Sequence, residues 1–375
     1  MKNIIDYIDW RGDLTFKQSS FNEIDAVIFT QIAYIDFSGI VSSEFNETIS
    51  LRQASILLAT SEDFEQRVNF GPLINKEITT LLQKAGESKR FCNLKLSAFR
   101  SSTDIEQEKQ FAAINFIFED KTNFIVYRGT DKSLVGWKED FNMAFKHPIP
   151  AQIEAVKYFD QACKKIKGKF ILGGHSKGGN LALFSATYCN SKNQKRILEI
   201  YNFDGPGFEE TVLNDKRFIS IKSKIKNFVP KKSIVGILFD TGIEKIIVES
   251  SNNGIMQHDP LTWNVLGTNF VTTEELSKES LFIDKTLKNW LKQTDKDKRE
   301  IFIEALFDVI ESAEANNISE ITENLLKSST KMIHHFHNLD SETKDMIFDT
   351  IKIIIKSAKD TVQNSVQEKI KKITE

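Results

Sequence analysis

The sequence predicts an α/β protein in which a sheet with an antiparallel start passes into a strand–turn–helix unit. Three observations carry that prediction. Apolar residues recur at helical spacing through about the first 90 residues, the period changes to that of strands from Asn93, and helical spacing returns after about residue 275. The apolar run Phe170 to Leu172 breaks at Gly173-Gly174-His175-Ser176-Lys177-Gly178-Gly179, and Asn180 to Ala186 then has the character of a helix. A further run, Ile197 to Phe203, ends in the turn-forming Asp204-Gly205-Pro206-Gly207.

Taken in order, Glu23 to Tyr34 and Ile74 to Ala85 are expected helices of the N-terminal region. Leu94 to Phe99, Phe111 to Phe118 and Phe124 to Tyr127 are expected strands, the last two joined as a hairpin by Glu119-Asp120-Lys121-Thr122-Asn123. Pro150 to Ile166 is an expected helix with Ile153, Val156, Phe159 and Cys163 on its apolar stripe. Ile225 to Val229 and Lys245 to Glu249 are two more expected strands.

Composition narrows the class. With 375 residues, 40% of them hydrophobic and 27% charged, the chain can bury a large core, as one domain or as a domain with an appendage. Lys and Arg number 50 against 52 Asp and Glu, so no broad positive field invites nucleic acid. Three separated cysteines, Cys92, Cys163 and Cys189, fit reduced core thiols better than a disulfide framework or zinc. Neither a secretory leader nor an apolar run of about 18 residues is visible, so a cytoplasmic protein is the default expectation, with signal-independent export or association with a membrane surface left open. His334, His335 and His337 lack the i, i+4 spacing of a helical metal pair and are expected on a solvated face.

Ser176 is the candidate nucleophile. A serine at the apex of a strand-to-helix turn, with glycines two residues before and after it, has the context of a nucleophile elbow. The loop Tyr127-Arg128-Gly129-Thr130-Asp131 follows the third strand, where such a site draws one donor to a developing oxyanion; the second comes from the residue after the nucleophile. Thr130 and Lys177 are therefore the candidate oxyanion donors through their backbone N–H groups. One such donor is worth roughly 3 kcal/mol in a transition state. Asp204, at the tip of the strand after the nucleophile, is a candidate to orient a histidine, and equally a turn former. His258, in Gln257-His258-Asp259-Pro260, is the histidine that lies after the last expected strand in a polar loop, where the order serine, acid, histidine requires the base.

These residues carry a family resemblance. Tyr-Arg-Gly-Thr with Gly136-Trp137-Lys138-Glu139-Asp140-Phe141 resembles the oxyanion loop of class 3 lipases, and Gly-His-Ser-Lys-Gly-Gly-Asn resembles their elbow. Asp9-Trp10-Arg11-Gly12-Asp13, Asn202 to Phe208, Ser233-Ile234-Val235-Gly236 and Gln257 to Pro260 together resemble the Mbeg1-like family of bacterial α/β-hydrolases, over roughly residues 1 to 270. The resemblance implies an α/β-hydrolase fold with a mostly parallel central sheet; with the helical periodicity at both ends, the expected organisation is one domain over residues 1–275, its N-terminal part helical, and a helical C-terminal region over 276–375. It implies lipase- or phospholipase-like ester hydrolysis with Ser176 as nucleophile and His258 as base, and no cofactor or metal. Class 3 lipases usually place the acid after the strand matched here by Ile225 to Val229, where Pro230-Lys231-Lys232-Ser233-Ile234 contains none. Asp204 instead resembles the acid position of pancreatic-type lipases, with Ser233 or Asp240 as fallbacks. A short-chain carboxylesterase or thioesterase, and a silent binding protein on the same fold, remain alternatives.

Four amphipathic helices are expected in the tail, at Glu274 to Lys292, Lys298 to Ala315, Ile318 to His337 and Asp340 to Ile373. They are expected to pack on the hydrolase core or dock a protein partner, with peripheral contact to an anionic membrane as the other reading of the basic last helix.

Overall fold

The computed structural model describes residues 3–281 apart from 70–73, 132, 144–145 and 240, together with 284–285, 295–300, 303–304, 341 and 345. Most of the expected tail helices, with His334, His335 and His337, lie outside the described residues, as does Asp240.

The N-terminal region is helical: α1 (Ile4–Arg11), α2 (Glu23–Ile32), α3 (Leu51–Ala59), α4 (Phe64–Arg67) and α5 (Ile78–Glu87). Local chemistry starts the first two. Asn3 and Asn22 cap α1 and α2 through their side chains, and Asp6 and Asp25 return bonds to the cap N–H groups, which satisfies orphan donors at both ends of each motif. Tertiary burial holds them. Ile24, Val27, Ile28 and Phe29 of α2 are fully buried, each worth about 1.5–3 kcal/mol.

The sheet is built from β1 (Ile49–Ser50), β2 (Lys95–Asp104), β3 (Lys109–Ile117), β4 (Asn123–Tyr127), β5 (Phe170–His175), β6 (Ile197–Phe203), β7 (Ile225–Pro230), β8 (Lys245–Val248) and β11 (Thr272–Thr273), in the spatial order β1-β2-β3-β4-β5-β6-β7-β8-β11. A separate ribbon pairs β9 (Val265–Leu266) with β10 (Asn269–Phe270). The expected mostly parallel sheet is corrected here. The pairs from β4 to β8 are parallel, whereas β1/β2, β2/β3, β3/β4 and β8/β11 are antiparallel, so the sheet is evenly mixed. The extra antiparallel edge, β11, is a two-residue strand that sequence periodicity is too short to reveal.

Between the strands run α6 (Leu134–Asn142), α7 (Pro150–Lys165), α8 (Lys177–Tyr188), α9 (Ser191–Gln194), α10 (Glu210–Leu213) and α11 (Lys216–Ile219). Two cores flank the sheet, because successive strand residues face opposite sides. Phe124 and Val126 of β4 face the core shared with α1, α2, α3 and α5, whereas Ile125 and Tyr127 face the core shared with α7 and α8. The expected stripe of α7 is corrected in part by this packing: Phe159 is buried and Val156 and Cys163 pack half-buried against the core, but Ile153 does not. Its buried face is Ala151, Gln152, Ala155, Tyr158, Phe159 and Ala162, while Ile153 is 43% exposed.

One buried ion pair fastens the N-terminal helices. Arg90 donates to both carboxylate oxygens of Asp25, at 2.7 and 2.5 Å, and its remaining N–H groups reach the carbonyls of Leu14, Ser19 and Ser20. Arg90 N also bonds the carbonyl of Gly12, so the Asp-Trp-Arg-Gly-Asp segment is anchored to the pre-sheet loop. Among the described residues, no helix is long and apolar enough to cross a membrane.

Candidate active site

Parallel register brings the candidate residues together. His175 at the end of β5 pairs with Phe203 at the end of β6, so Ser176 and Asp204, one residue beyond each, lie side by side at the carboxyl edge of the sheet. Ser176 N donates to the carbonyl of Phe203 at 2.9 Å, and Asp204 N donates to that of Phe228 at 2.7 Å. Both residues are turned out of their strands with positive φ, +57° for Ser176 and +50° for Asp204. A non-glycine residue held there stores strain of order 1–3 kcal/mol, which the surrounding packing must overcome.

The elbow is tight because its neighbours have no side chains. A methyl group on Gly174 would collide with Gly178, and one on Gly178 would collide with the carbonyl of Tyr127. The elbow strand, the start of α8 and the end of β4 can approach this closely only as they stand.

His258 closes a 3-10 turn, Gly254–His258, between β8 and β11. It does not follow the last strand, as the sequence pattern implied, because β9, β10 and β11 come after it. Its Nδ1 lies 2.6 Å from Asp204 Oδ2. Asp204 is fully buried, and His258 is about one fifth exposed at 21%. Asp204 Oδ1 accepts from the Ser233 hydroxyl at 2.5 Å and from Gly236 N at 3.1 Å. Ser233, a fallback for the acid, is thus the support of Asp204 and not its substitute. Asp204 is turn former and histidine partner at once.

A second histidine, His175, positions the first, and sequence reasoning missed it. Its Nε2 bonds the carbonyl of His258 at 2.8 Å and its Nδ1 the hydroxyl of Tyr34 at 2.9 Å. A carbonyl only accepts, so Nε2 carries the proton and Nδ1 accepts from Tyr34. Burial, with the nearby His258 ring, holds the His175 pKa well below the usual histidine range and keeps it neutral. The signal for it was its place in the elbow, which gave no hint of a partner in α2's trailing turn, 141 residues away. Asp259, next to His258, accepts from Asn75 at 3.0 Å, and burial raises its carboxyl to about 6.

The Thr130 loop packs on the elbow directly. A methyl group on Gly129 would meet Tyr34 Oη, the carbonyl of His175 and Ser176 Cβ, so only glycine allows the approach. The Thr130 hydroxyl donates to Asp140 Oδ2 at 2.5 Å, and Arg128 pairs with Asp131 at 3.2 Å. Lys177 opens α8, so its backbone N–H has no acceptor within the helix and points out of the positive end of the helix dipole. Ser176 is half-buried, and among the described residues no hydrogen bond joins its hydroxyl to the His258 ring. Such contacts are often long in free enzymes and tighten on substrate. No group of three or more His, Cys, Asp or Glu among the described residues is arranged to hold a metal.

Comparison with known proteins gives a family and a faint structural likeness. No curated protein matches the chain. Among solved structures, a Rhizomucor miehei lipase propeptide complex in its native form aligns at 17% identity and a TM-score of 0.30, over 51% of this chain and 65% of that one. A deletion mutant of the same complex aligns at 16% identity and 0.30, over 46% and 68%. At that TM-score the likeness bears on neither fold nor chemistry. The family match starts later than the motif resemblance implied and runs past the expected domain boundary at 275, for it covers residues 85–308, more than half of the chain, and by that match the protein belongs to the Mbeg1-like family.

Proposed function

We propose that this protein is a serine ester hydrolase on an α/β-hydrolase fold that cleaves acyl esters of lipids, in the manner of a lipase or phospholipase A. The observation that carries the reading is the 2.6 Å contact between buried Asp204 and His258 Nδ1, formed beside a serine held at positive φ at the tip of the neighbouring strand. With Nδ1–H donated to Asp204, the basic lone pair of His258 is on Nε2. His258 takes the Ser176 proton as Oγ attacks the ester carbonyl, and returns it to the leaving alcohol. Water then enters by the same base, and the acyl chain leaves as the carboxylic acid. The backbone N–H groups of Thr130 and Lys177 hold the oxyanion in both steps. The lipid substrate class rests on the family motifs of the Thr130 loop and the elbow, and the site chemistry itself serves any carboxylic ester.

The test is release of fatty acid from phospholipid vesicles and of p-nitrophenol from short-chain esters, native protein against Ser176→Ala. Ser176→Ala is expected to abolish both and to prevent labelling by a fluorophosphonate. Cleavage of short esters alone would replace the lipid substrate class by a small-ester one. A folded native protein that neither turns over nor labels would refute the hydrolase reading in favour of a binding role.

A further inference from the structure

Lys177 follows the candidate nucleophile, and its side chain is fully buried. An ammonium in such a place costs several kcal/mol unless it is paired and fully hydrogen-bonded, and an apolar side chain would open α8 at no such cost. Its pairing is complete. Nζ donates to Gln110 Oε1 at 2.7 Å, to the carbonyl of Gln110 at 3.1 Å and to Glu139 Oε2 at 3.0 Å, which uses all three of its protons.

The partners lead to both flanks of the Thr130 loop. Asp140 Oδ1 lies 3.6 Å from Nζ, and Asp140 Oδ2 accepts the Thr130 hydroxyl. Gln110 Nε2 reaches Asp131 Oδ2 at 3.4 Å, and Asp131 Oδ1 accepts from Ser133 N at 2.9 Å at the start of α6. Glu139, also fully buried, takes the N–H groups of Gln110 at 3.0 Å and Ala151 at 2.9 Å, so β3, α6 and the first turn of α7 converge on the same cation.

We infer that the Lys177 side chain is a positioning group, an ionic tether that fixes the Thr130 loop against the elbow so that the two oxyanion donors keep their mutual geometry. The inference deepens the hydrolase reading and rests on it for its kinetic consequence. The backbone N–H of Lys177 is one donor, and its ammonium holds the loop that carries the other. Two carboxylates sit within 4 Å of the ammonium, at 3.0 and 3.6 Å, so the charge is spent locally and acts through position. A displacement of about 1 Å at a reacting centre costs on the order of 10²-fold in rate.

The experiment compares Lys177→Met and the charge-balanced double variant Lys177→Met with Glu139→Gln against the native protein. Three readouts are taken: kcat and KM on p-nitrophenyl butyrate, the rate of fluorophosphonate labelling, and amide hydrogen exchange across residues 129–133. The tether predicts that both variants lose roughly 10- to 100-fold in kcat and in labelling rate. KM should stay within about threefold, because the lost contact matters in the transition state. Exchange of the loop should accelerate while that of β5 does not. Recovery of native kcat in the folded double variant would overturn the inference, since the lysine would then only neutralise Glu139. Unchanged kcat and loop exchange in either folded variant would overturn it as well. If the native protein does not label at all, the hydrolase reading falls, and loop exchange alone decides the tether.

Discussion

Replacing Asp204 by asparagine should silence the site without unfolding it. The two buried donors on Asp204 Oδ1, Ser233 Oγ at 2.5 Å and Gly236 N at 3.1 Å, require an acceptor there. The asparagine amide must therefore put its NH2 where Oδ2 was, 2.6 Å from His258 Nδ1. A donor now faces Nδ1, so the imidazole carries its proton on Nε2 and offers its lone pair to the wrong side. In a serine protease triad this tautomer error costs about 10⁴-fold, which is about 5.4 kcal/mol of barrier. Both donors on Oδ1 stay paired and only the second N–H of the new amide gains no acceptor, so stability should fall by about 1 kcal/mol. Asp204→Ala, by contrast, strands the buried Ser233 hydroxyl at about 1–3 kcal/mol and leaves His258 Nδ1 without its partner, while Gly236 N–H keeps Ser233 Oγ at 3.1 Å. The assay is kcat/KM on p-nitrophenyl butyrate from pH 6 to 9, with thermal melting of both variants. A loss of less than tenfold in folded Asp204→Asn would refute the assignment of Asp204 to His258. Equal destabilisation by the two substitutions would refute the accounting of its hydrogen bonds.

Further predictions concern the charges around the site and the N-terminal helices. Burial, only partly offset by Lys177, raises the Asp140 carboxyl from 3.8 to about 6. Because the folded state keeps this proton longer than the unfolded one, its contribution is fully present below about pH 3.8 and is lost as pH rises to about 6. Asp140→Asn should therefore gain on the native protein between pH 4 and 7, by about 1–3 kcal/mol, in chemical denaturation; a gain that shrinks as pH rises would contradict the sign. Arg90→Met leaves Asp25 buried without its partner and should cost about 3–5 kcal/mol by the same method, whereas a loss below 1 kcal/mol would show that water reaches the carboxylate.

Whatever depends on neighbours along the chain was legible in the residues alone. The change of period at Asn93, the hairpin of β3 and β4, the run from Ile197 to Phe203, and the elbow between Leu172 and Asn180 are local signals, and the corresponding elements formed within a few residues of expectation. The Asn3 and Asn22 caps are equally local, with side chains only two and three residues from the groups they cap, but they were not among the sequence expectations. Ser176, Asp204 and His258 stood out as candidates because each ends a strand or sits in a turn whose chemistry is written nearby.

Which groups meet was settled by the folded chain. Ser233 supports Asp204 from 29 residues away, His175 joins Tyr34 to the backbone of His258, and Lys177 gathers Gln110 and Glu139 from two other elements. No local pattern encodes such pairings, since a buried charge is tolerated wherever the fold happens to bring its partner. The phase of α7 was settled in the same way. Hydrophobicity favoured Ile153, but the close approach of α8 and β3 admits the small face of Ala151, Ala155 and Ala162, and Ile153 was left towards solvent.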